Sequence, residues 1–411
     1  MKRVNKAIYI VFTAFVALAL CGFAPEDPTP QSYAVLEISV EGKIYKYSDG
    51  PVTPSDFSVV EQIEKRKINA PLPEKIEYVD GCLARGASYR DALDRCFPLL
   101  VRTVDGIADG LYVQPQNAEV TYDGGKYGVK KEKNGRELDT QKLYAAIYCA
   151  LKFSGGGRVK GYVRPIMPES TSAELKQNLI LRGKYTTDYT TSSAARAHNV
   201  TKALNKFDGL CLKAGETLSF NKVVGERTES AGFTSATIIV DGKYTDGIGG
   251  GVCQASTAVY NAALVAGLHC EANAHSICPS YCPAGLDAMI SSVSDLLITN
   301  VTTHPVYFSV KTGGSKGTVT VYGEPSEYKV VPESIVVQTL KFETEEFIDV
   351  DGKYFDETAQ SGDRLLVSPG KDGVKSETYL NLYSPNGQLV KRVKVRDNTY
   401  KVVTQRIAVA P

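Results

Sequence analysis

One stretch of the sequence has the residue types and spacing of a nucleophilic site. It reads Gly247-Ile-Gly-Gly-Gly-Val-Cys-Gln-Ala-Ser-Thr-Ala-Val-Tyr-Asn261, so a run of glycines ends just before Cys253. Glycines allow positive φ angles and a close approach of substrate backbone, and the apolar spacing beyond them predicts a helix from about residue 254 to 266. A cysteine at a helix N-terminus faces unpaired amide groups and the positive end of the helix dipole, which favour the thiolate. We therefore expect Cys253 to attack a carbonyl carbon as a thiolate.

The start of that helix also offers donors for the oxyanion of an acyl-transfer intermediate. Gly250, Gly251 and Val252 are candidates for oxyanion or substrate contacts. Gln254 is a candidate side-chain donor. The alternative for Cys253 is structural, because an isolated cysteine at a strand-to-helix turn is more often a small buried apolar residue. The glycine run favours the nucleophile, since a buried cysteine does not need three glycines in front of it.

A cysteine nucleophile usually works with a base, and the sequence contains four histidines. His275 lies a short way after the predicted Cys253 helix, on a segment that can run back past the helix as a strand, so it is the expected base. A surface or turn position would explain His275, taken alone, about as well. The other three are expected in a polar helix (His198), at the far end of the Cys253 helix (His269) and in a hairpin turn (His304).

The base is expected to have a carboxylate partner, because an acidic side chain commonly orients a catalytic imidazole. Asp287, in the next segment of the chain, is the expected partner of His275, and Asp295 is the alternative. A role as a turn or cap residue is roughly as well supported for either aspartate.

The sequence contains nine cysteines, an odd number with irregular spacing. Cysteines outside the cytoplasm usually pair, and Cys82 with Cys96 and Cys278 with Cys282 are candidate local disulfides. The pairing stays open, because an enzyme that needs a free thiol is not well served by many partners. Cys278 and Cys282 also resemble half of a zinc site, but no second pair of ligands follows at a suitable spacing. We expect no metal and no other cofactor.

Length and charge limit the class of protein. The chain has 411 residues, 43% of them apolar and 23% charged, which is the ordinary mixture of folded proteins. Such a length favours two to three domains. The 47 Lys and Arg nearly balance the 46 Asp and Glu without a long block of one sign, so nucleic acid is not an expected partner.

The N-terminal segment is typical of an export signal. Three basic residues precede an uncharged stretch over residues 7–24, and a proline-rich segment follows. The stretch is at the short end of what spans a bilayer. We expect residues 1–24 to remain as a membrane anchor, with lipidation of Cys21 as the alternative, and the rest of the chain to lie on the extracytoplasmic face of the membrane or in the cell wall.

The remaining pattern predicts a multidomain α+β protein. Residues 30–175 are expected to form a mixed α+β domain with a strand over 33–40, helices over 89–110 and 139–153, and a hairpin that turns at 123–125. Residues 176–325 are expected to form a central α+β domain with a helix over 194–207, the Cys253 helix, and a hairpin made of 296–300 and 306–310. Residues 326–411 consist of short β-runs broken by Gly, Asp and Asn, which predict an all-β module.

The central domain resembles the VanW family in the order and spacing of its motifs. The matching segments are Lys213-Ala-Gly-Glu-Thr-Leu-Ser-Phe-Asn221, Lys222-Val-Val-Gly-Glu-Arg-Thr228, Ile248-Gly-Gly-Gly-Val-Cys-Gln-Ala-Ser-Thr257, and His275-Ser276 with Tyr281 and Pro283-Ala-Gly-Leu-Asp287. Residues 113–143 are similar to the peptidoglycan-binding module often found ahead of VanW domains, although a spacer role would fit nearly as well. Residues 361–383 resemble the G-five type of β-rich wall module.

The resemblance implies an enzyme of the cell wall. Members of the family in clostridia are understood to be cysteine L,D-transpeptidases of peptidoglycan, which implies Cys253 as nucleophile, His275 as base and peptidoglycan stem peptides as substrate. This chain has Leu286 where the family usually has Arg ahead of the aspartate, so Arg227 is the expected anion-binding residue. A peptidoglycan endopeptidase or carboxypeptidase and a non-catalytic wall-binding scaffold are the alternatives.

Overall fold

The computed structural model describes residues 34–50, 68–240, 243–356 and 358–411. The expected anchor over residues 1–24, which includes Cys21, lies outside the described residues. In the part of the chain that is described, no helix is both long enough and apolar enough to cross a membrane. The chain divides into two compact units: unit 1 comprises the described residues up to 118 together with 131–171, and unit 2 comprises the described residues of 119–130 and 172–411.

The helices and strands are numbered in chain order. The helices are α1 (Leu72–Ala84), α2 (Tyr89–Asp94), α3 (Pro98–Leu111), α4 (Thr140–Ser154), α5 (Ser172–Gln177), α6 (Ala194–Asn205), α7 (Phe220–Val224) and α8 (Val252–Val265). The strands are β1 (Val35–Val40), β2 (Lys43–Ser48), β3 (Glu119–Asp123), β4 (Lys126–Lys130), β5 (Gly135–Leu138), β6 (Gly156–Lys160), β7 (Val163–Ile166), β8 (Ile180–Asp188), β9 (Cys211–Leu212), β10 (Thr217–Ser219), β11 (Ser235–Val240), β12 (Lys243–Ile248), β13 (His269–Glu271), β14 (Leu297–Thr299), β15 (Val306–Gly313), β16 (Lys316–Gly323), β17 (Lys329–Leu340), β18 (Thr344–Ile348), β19 (Arg364–Ser368), β20 (Gly373–Tyr383), β21 (Leu389–Tyr400) and β22 (Gln405–Val409).

Unit 1 packs helices α1 to α4 against the sheet β2-β1-β6. Strand β1 alternates buried Leu36, Ile38 and Val40 with more exposed residues, so one face of the sheet is apolar. Helix α4 begins at Thr140, one residue after the predicted start, and Asp139 is its N-cap, whose Oδ1 accepts a hydrogen bond from the Lys142 N–H at 3.1 Å.

The helix predicted over residues 89–110 is two helices, α2 and α3. The chain leaves the helical path at Phe97, and Pro98 begins α3. Proline is favoured at a first helical position because its missing N–H has no partner there anyway. Proline is disfavoured inside a helix, so the backbone breaks before Pro98. The spacing of apolar residues continues across this break and therefore predicted one helix instead of two.

Helix α8 forms the centre of unit 2. Every side chain from Val252 to Leu264 is buried except that of Cys253. Strand β8 packs closely on the helix at Gly183, where a Cβ would lie only 2.4 Å from the carbonyl oxygen of Ala262. A helix that is buried on nearly all sides belongs to a core. Cys253 is therefore the position in this stretch at which the helix reaches solvent.

The hairpin predicted from residues 296–300 and 306–310 is wrong. Strand β14 pairs with β10 and β13, whereas β15 pairs with β16 and β9. The buried Asn300 explains the divergence, because its Nδ2 donates to the carbonyls of Leu212 (3.0 Å) and His304 (2.9 Å) and so turns the chain between two sheets. Strands β3 and β4 do form the hairpin predicted to turn at 123–125.

After residue 325 the described residues contain strands and no helix. They form the sheets β17-β20-β21 and β18-β22-β19. The predicted α+β class with a C-terminal all-β module is therefore confirmed. Strand β21 ends at Tyr400, which is fully buried, and this end of the strand lies against the segment that carries Asp287.

Candidate active site

Glycines set the geometry at the start of α8. Gly251 is the N-cap and has a φ of +102°, a left-handed conformation that side chains disfavour. Space is equally restrictive: a Cβ on Gly250 would lie 2.6 Å from the carbonyl oxygen of Ala236, and one on Gly251 would lie 2.9 Å from Cγ of Arg196. The glycines thus permit the close packing of this strand-to-helix turn, and Cys253 follows as the second residue of α8.

Cys253 has a partly exposed side chain with two polar neighbours. Its thiol donates to the carbonyl oxygen of Ile290 at 3.4 Å, and it interacts electrostatically with the imidazole of His275. Burial raises the pKa of the thiol, but the hydrogen bond and charge of His275, assisted by the charge of Arg227, hold that pKa below its ordinary value. The site therefore favours the thiolate.

His275 lies between the thiol and Asp287. Oδ2 of Asp287 accepts hydrogen bonds from Nδ1 of His275 at 2.6 Å and from the His275 backbone N–H at 2.7 Å. This leaves Nε2 as the nitrogen on the Cys253 side, where it also lies 3.4 Å from the Tyr281 hydroxyl. Burial lowers the pKa of His275, but Asp287 and Cys253 outweigh it and raise the pKa to about 9.

Asp287 is fully buried and yet ionised. Burial raises the pKa of this carboxyl group, but hydrogen bonds from His275 and Tyr400 hold the pKa below its ordinary value. The carboxylate of Asp287, the imidazole of His275 and the thiol of Cys253 therefore follow one another, and interactions between neighbours shift the pKa values toward the charged forms. This order of charges is what a cysteine nucleophile with an oriented base requires.

Two side chains of α8 fix the segment that carries the aspartate. Nδ2 of Asn261 donates to the carbonyl of Leu286 at 2.7 Å, and Oγ1 of Thr257 accepts from the N–H of Ala288 at 3.1 Å. Cys253, Thr257 and Asn261 are four residues apart on the helix and so share one face. Cys253 and the segment that carries Asp287 are thereby attached to the same helix.

The C-terminal sheet contacts the other oxygen of Asp287. The Tyr400 hydroxyl donates to Oδ1, and Nη2 of Arg396 lies 3.4 Å from the same atom and donates to the Asp287 backbone carbonyl at 2.7 Å. Sequence reasoning missed both residues. They are 113 and 109 positions away from Asp287, and no motif in β21 indicates a role in the site.

Gln254 has its polar atoms engaged away from the thiol. Its Nε2 donates to Oγ1 of Thr187 at 2.8 Å and to the Asp188 carbonyl at 2.9 Å, while its Oε1 accepts from Arg196 at 2.7 Å. Both amide hydrogens are thus used in tying α8 to β8. This arrangement holds the helix start in place, and, contrary to the prediction, the Gln254 amide does not point its donors at Cys253.

The backbone amides at the start of α8 differ in their engagement. The Val252 N–H donates to the Gly249 carbonyl at 3.1 Å, and the Gln254 N–H donates to the Gly251 carbonyl at 2.9 Å. Between them lies the N–H of Cys253, which also belongs to the first turn of the helix. It is the amide of the residue that carries the thiol.

Two arginines bring positive charge to the thiol. Arg227 donates to Oδ1 of Asn221 at 3.1 Å, and its charge favours the Cys253 thiolate. Arg196, from α6, lies 5.9 Å from the ring centre of Tyr281 and interacts electrostatically with Cys253. Burial lowers the pKa of Arg196. The sequence pointed to Arg227 but contained no signal for Arg196.

The other histidines and Asp295 lie against other partners. These partners are the Gly232 carbonyl for His198, Glu271 for His269, Glu324 for His304, and Ser219 with Asn221 for Asp295. His275 and Asp287 are thus the imidazole and the carboxylate that the structure brings to Cys253.

The other thiols of this region differ from Cys253. Burial raises the pKa of Cys270 to about 12, and burial likewise raises that of Cys282. No disulfide joins Cys278 to Cys282, or Cys82 to Cys96, in the described part of the chain. Within the same residues, no group of three or more His, Cys, Asp or Glu side chains is arranged to hold a metal ion.

Comparisons with known proteins agree with the motifs. A family model described as "VanW like protein" matches residues 195–322, and one described as "Putative peptidoglycan binding domain" matches residues 98–160. The chain is 31% identical over 216 residues to "Uncharacterized protein YoaR" of Bacillus subtilis (strain 168), a match that covers 52% of this chain and 70% of that protein.

Two solved structures are similar to about a fifth of the chain. One is "Crystal structure of HP0197-G5", with 15% identity, 20% of this chain and 99% of that chain covered, and a TM-score of 0.13. The other is "IgA1 Protease G5 domain structure", with 16% identity, 21% and 94% covered, and a TM-score of 0.15. Scores this low support no inference about the fold.

Proposed function

Because the chain belongs to the VanW family, we propose that it is a cell-wall enzyme, an L,D-transpeptidase that joins peptidoglycan stem peptides through an acyl group on Cys253. The observation that carries the proposal is that His275 lies between Cys253 and Asp287, and that Cys253 lies at the start of a helix preceded by glycines. Of the thiols in this domain, Cys253 is the one with a base beside it and a lowered pKa.

In the first half of the reaction, the Cys253 thiolate attacks the carbonyl carbon of the third residue of a tetrapeptide stem. The oxyanion that forms is stabilised by the Cys253 N–H and the open end of α8. The C–N bond to the fourth residue breaks, and His275 gives its Nε2 proton to the departing D-alanine amine. A thioester and a neutral imidazole remain.

In the second half, the side-chain amine of a diaminopimelate on a neighbouring stem attacks the thioester carbonyl. His275 takes one proton from that amine, the C–S bond breaks, and the thiolate and imidazolium return. The product is an amide between two third-position residues. We assign to Arg227 the binding of a negatively charged group of either stem, because its charge helps to lower the pKa of the nearby Cys253 thiol.

Digestion of wall material incubated with the purified protein tests the proposal. We expect new dimers linked between third-position residues, separated by chromatography and identified by mass spectrometry, and we expect Cys253→Ala to form none. Loss of existing dimers would indicate an endopeptidase, release of D-alanine without dimers a carboxypeptidase, and no change a scaffold. Because the Cys253 side chain is small and partly exposed, Cys253→Ala should change the free energy of unfolding by less than about 1 kcal/mol.

We further propose that residues 1–24 anchor the chain in the membrane and that residues 98–160 hold it on peptidoglycan. The basic, uncharged and proline-rich order of the N-terminal segment supports the anchor, and the match to a peptidoglycan-binding model supports the second contact. Fractionation of cells should find the chain with the membrane. Recovery of a chain that starts after Ala24 in the medium would contradict the anchor.

A further inference from the structure

We infer that Tyr400 and Arg396, in the C-terminal β-sheet, are positioning residues of the active site that hold Asp287 in the orientation in which it binds His275. The inference rests on the proposed function, because a positioned carboxylate matters to a reaction only if Cys253 and His275 carry it out. It extends the site beyond the VanW match at residues 195–322 into strand β21.

Tyr400 bridges two parts of the segment around Asp287. Its hydroxyl donates to Oδ1 of Asp287 and accepts from the N–H of Gly285 at 2.6 Å. Tyr400 and Asp287 are both fully buried, so water does not replace either bond. Since Oδ2 is occupied by His275, the bond to Oδ1 fixes the rotation of the carboxylate about its Cβ–Cγ axis.

Arg396 fixes the backbone around the same carboxylate. Its Nη2 donates to the carbonyls of Gly285 and Asp287, and its Nη1 donates to that of Ala272 at 3.3 Å. The guanidinium thereby joins the two stretches of chain on either side of His275. It also places a positive charge 3.4 Å from Oδ1 of Asp287, which offsets the cost of a buried carboxylate.

The same sheet contacts the segment at further points. The Lys401 N–H donates to the carbonyl of Ser276, the residue after the base, at 2.8 Å. Oγ1 of Thr378 donates to the Gly285 carbonyl at 3.0 Å. Gly285 itself has a φ of +87°, and a Cβ there would lie 2.4 Å from Oγ1 of Thr378. Glycine at 285 is what lets the sheet approach so closely.

Other charged or titratable groups also face Asp287. Besides His275, Tyr400 and Arg396, the groups that interact with its charge are Tyr260 of α8 and Cys278, Tyr281 and Cys282 of the connecting loop. Burial raises the pKa of each of these four side chains, so all four are neutral at neutral and acidic pH. Tyr400 and Arg396 are therefore the groups that hold Oδ1 of Asp287 in place and stabilise its negative charge.

Tyr400→Phe in the full chain tests the inference, with alkylation of Cys253 as the readout. Loss of a donor lets the carboxylate rotate and take up a proton, so the imidazolium loses support and less thiolate forms. Alkylation at pH 6 should slow by about tenfold or more, as expected for loss of a hydrogen bond to a charged group. The rate should approach the parent value as the pH rises further, because a high pH deprotonates the thiol whether or not the imidazolium supports it.

The matched control is Tyr144→Phe in unit 1, which removes a buried hydroxyl that donates to Asp105 at 2.7 Å. It should lower stability to a similar extent and leave the alkylation profile unchanged. Arg396→Lys should act like Tyr400→Phe, and Arg392→Lys, on the same strand but paired with Glu333, should not. Parent-like profiles for Tyr400→Phe and Arg396→Lys would overturn the inference, as would an equal shift in Tyr144→Phe.

The cross-linking assay separates this inference from the proposed function. If the alkylation profile shifts but no variant or parent forms cross-links, the proposed reaction is wrong and the positioning role stands. If cross-links form and require Cys253 while Tyr400→Phe and Arg396→Lys match the parent in both assays, the reaction stands and the positioning role is wrong.

Discussion

The pKa values of Cys253 and His275 shift in opposite directions, and the hydrogen bond from His275 to Asp287 contributes to the rise at His275. The pKa of Cys253 is lowered and that of His275 is raised to about 9, so the imidazole is protonated below about pH 9. Asp287 accepts from the opposite ring nitrogen at 2.6 Å and stabilises the positive ring. The imidazolium of His275 therefore favours the thiolate form of Cys253.

The pH dependence of Cys253 alkylation follows from these directions. A lowered pKa means that the thiolate forms below the range of an ordinary thiol, near 8.5, while a raised His275 pKa means that the imidazolium persists until the pH passes about 9. Reaction with iodoacetamide at pH 6, followed by peptide mass spectrometry, should therefore label Cys253 before Cys270 or Cys282. His275→Ala should slow that labelling by about tenfold or more, since one pKa unit is tenfold in thiolate.

Three further histidine variants serve as controls for that experiment. His198→Ala, His269→Ala and His304→Ala should all alkylate like the parent, because each ring lies against another partner. If one of them carried the effect while His275→Ala matched the parent, the base would be misassigned even with Cys253 as nucleophile.

Single residues of the site were predictable from the sequence where the chemistry itself requires a residue type. A thiol after a glycine run, an imidazole after its helix and a carboxylate in the next segment follow from what acyl transfer needs. The engagement of Gln254 was not predictable, because its partners Thr187 and Arg196 come from elements far away along the chain. The same holds for Tyr400, since no local pattern relates a strand end to a loop 113 residues earlier.

At the scale of elements, the segment that carries His275 departs most from expectation. We expected it to run back past α8 as a strand, but after β13 ends at Glu271 the chain forms a loop whose one ladder-like contact is the bridge between Asn273 and Met289. Side-chain bonds from Asn261 and Thr257 take the place of a neighbouring strand. The spacing of apolar residues in this segment does not predict such hydrogen bonds, because side chains of another element, α8, form them.

The turn into α8 gives a prediction at this scale. Gly251→Ala combines a φ of +102° with a Cβ 2.9 Å from Arg196, and it should lower the free energy of unfolding by about 1–3 kcal/mol. It should also slow alkylation of Cys253, because the helix start must shift. Gly215→Ala is the matched control, with a φ of +75° and no atom within 4 Å of the new Cβ. Chemical denaturation should find the smaller loss for Gly215→Ala, with normal alkylation; equal losses would contradict the packing argument.

At the scale of the molecule, the two compact units have separate cores. The core of unit 1 joins β1 to α3 and α4, and the core of unit 2 surrounds α8. The amphipathic spacing predicted most of these helices, whereas the division at 118/119 and 130/131 was not evident. The hairpin of β3 and β4 belongs to unit 2 through side chains such as Tyr127, which donates to the Phe308 carbonyl at 2.6 Å, and local sequence does not encode that contact.

Separate cores predict that damage to unit 1 leaves the chemistry of unit 2 intact. Lys75 and Asp49 form an ion pair of 2.7 Å in unit 1, and their side chains are only 3% and 4% exposed. Lys75→Met would leave the carboxylate of Asp49 buried without its cation, which should lower the free energy of unfolding of unit 1 by about 3–5 kcal/mol. Adding Asp49→Asn should recover part of the loss, because the uncompensated charge is then gone.

The control for that experiment is an exposed ion pair of the same unit. Arg158 is 68% exposed and pairs with Glu37 at 2.8 Å, so Arg158→Met should cost no more than about 1 kcal/mol. Denaturation should be followed by circular dichroism, and Cys253 alkylation measured in parallel at pH 6 on the folded protein. Both variants should alkylate like the parent, since Cys253, His275 and Asp287 belong to unit 2. Slowed alkylation of folded Lys75→Met, with normal alkylation of Arg158→Met, would mean that unit 1 supports the site around Cys253. The two units would then form one cooperative structure.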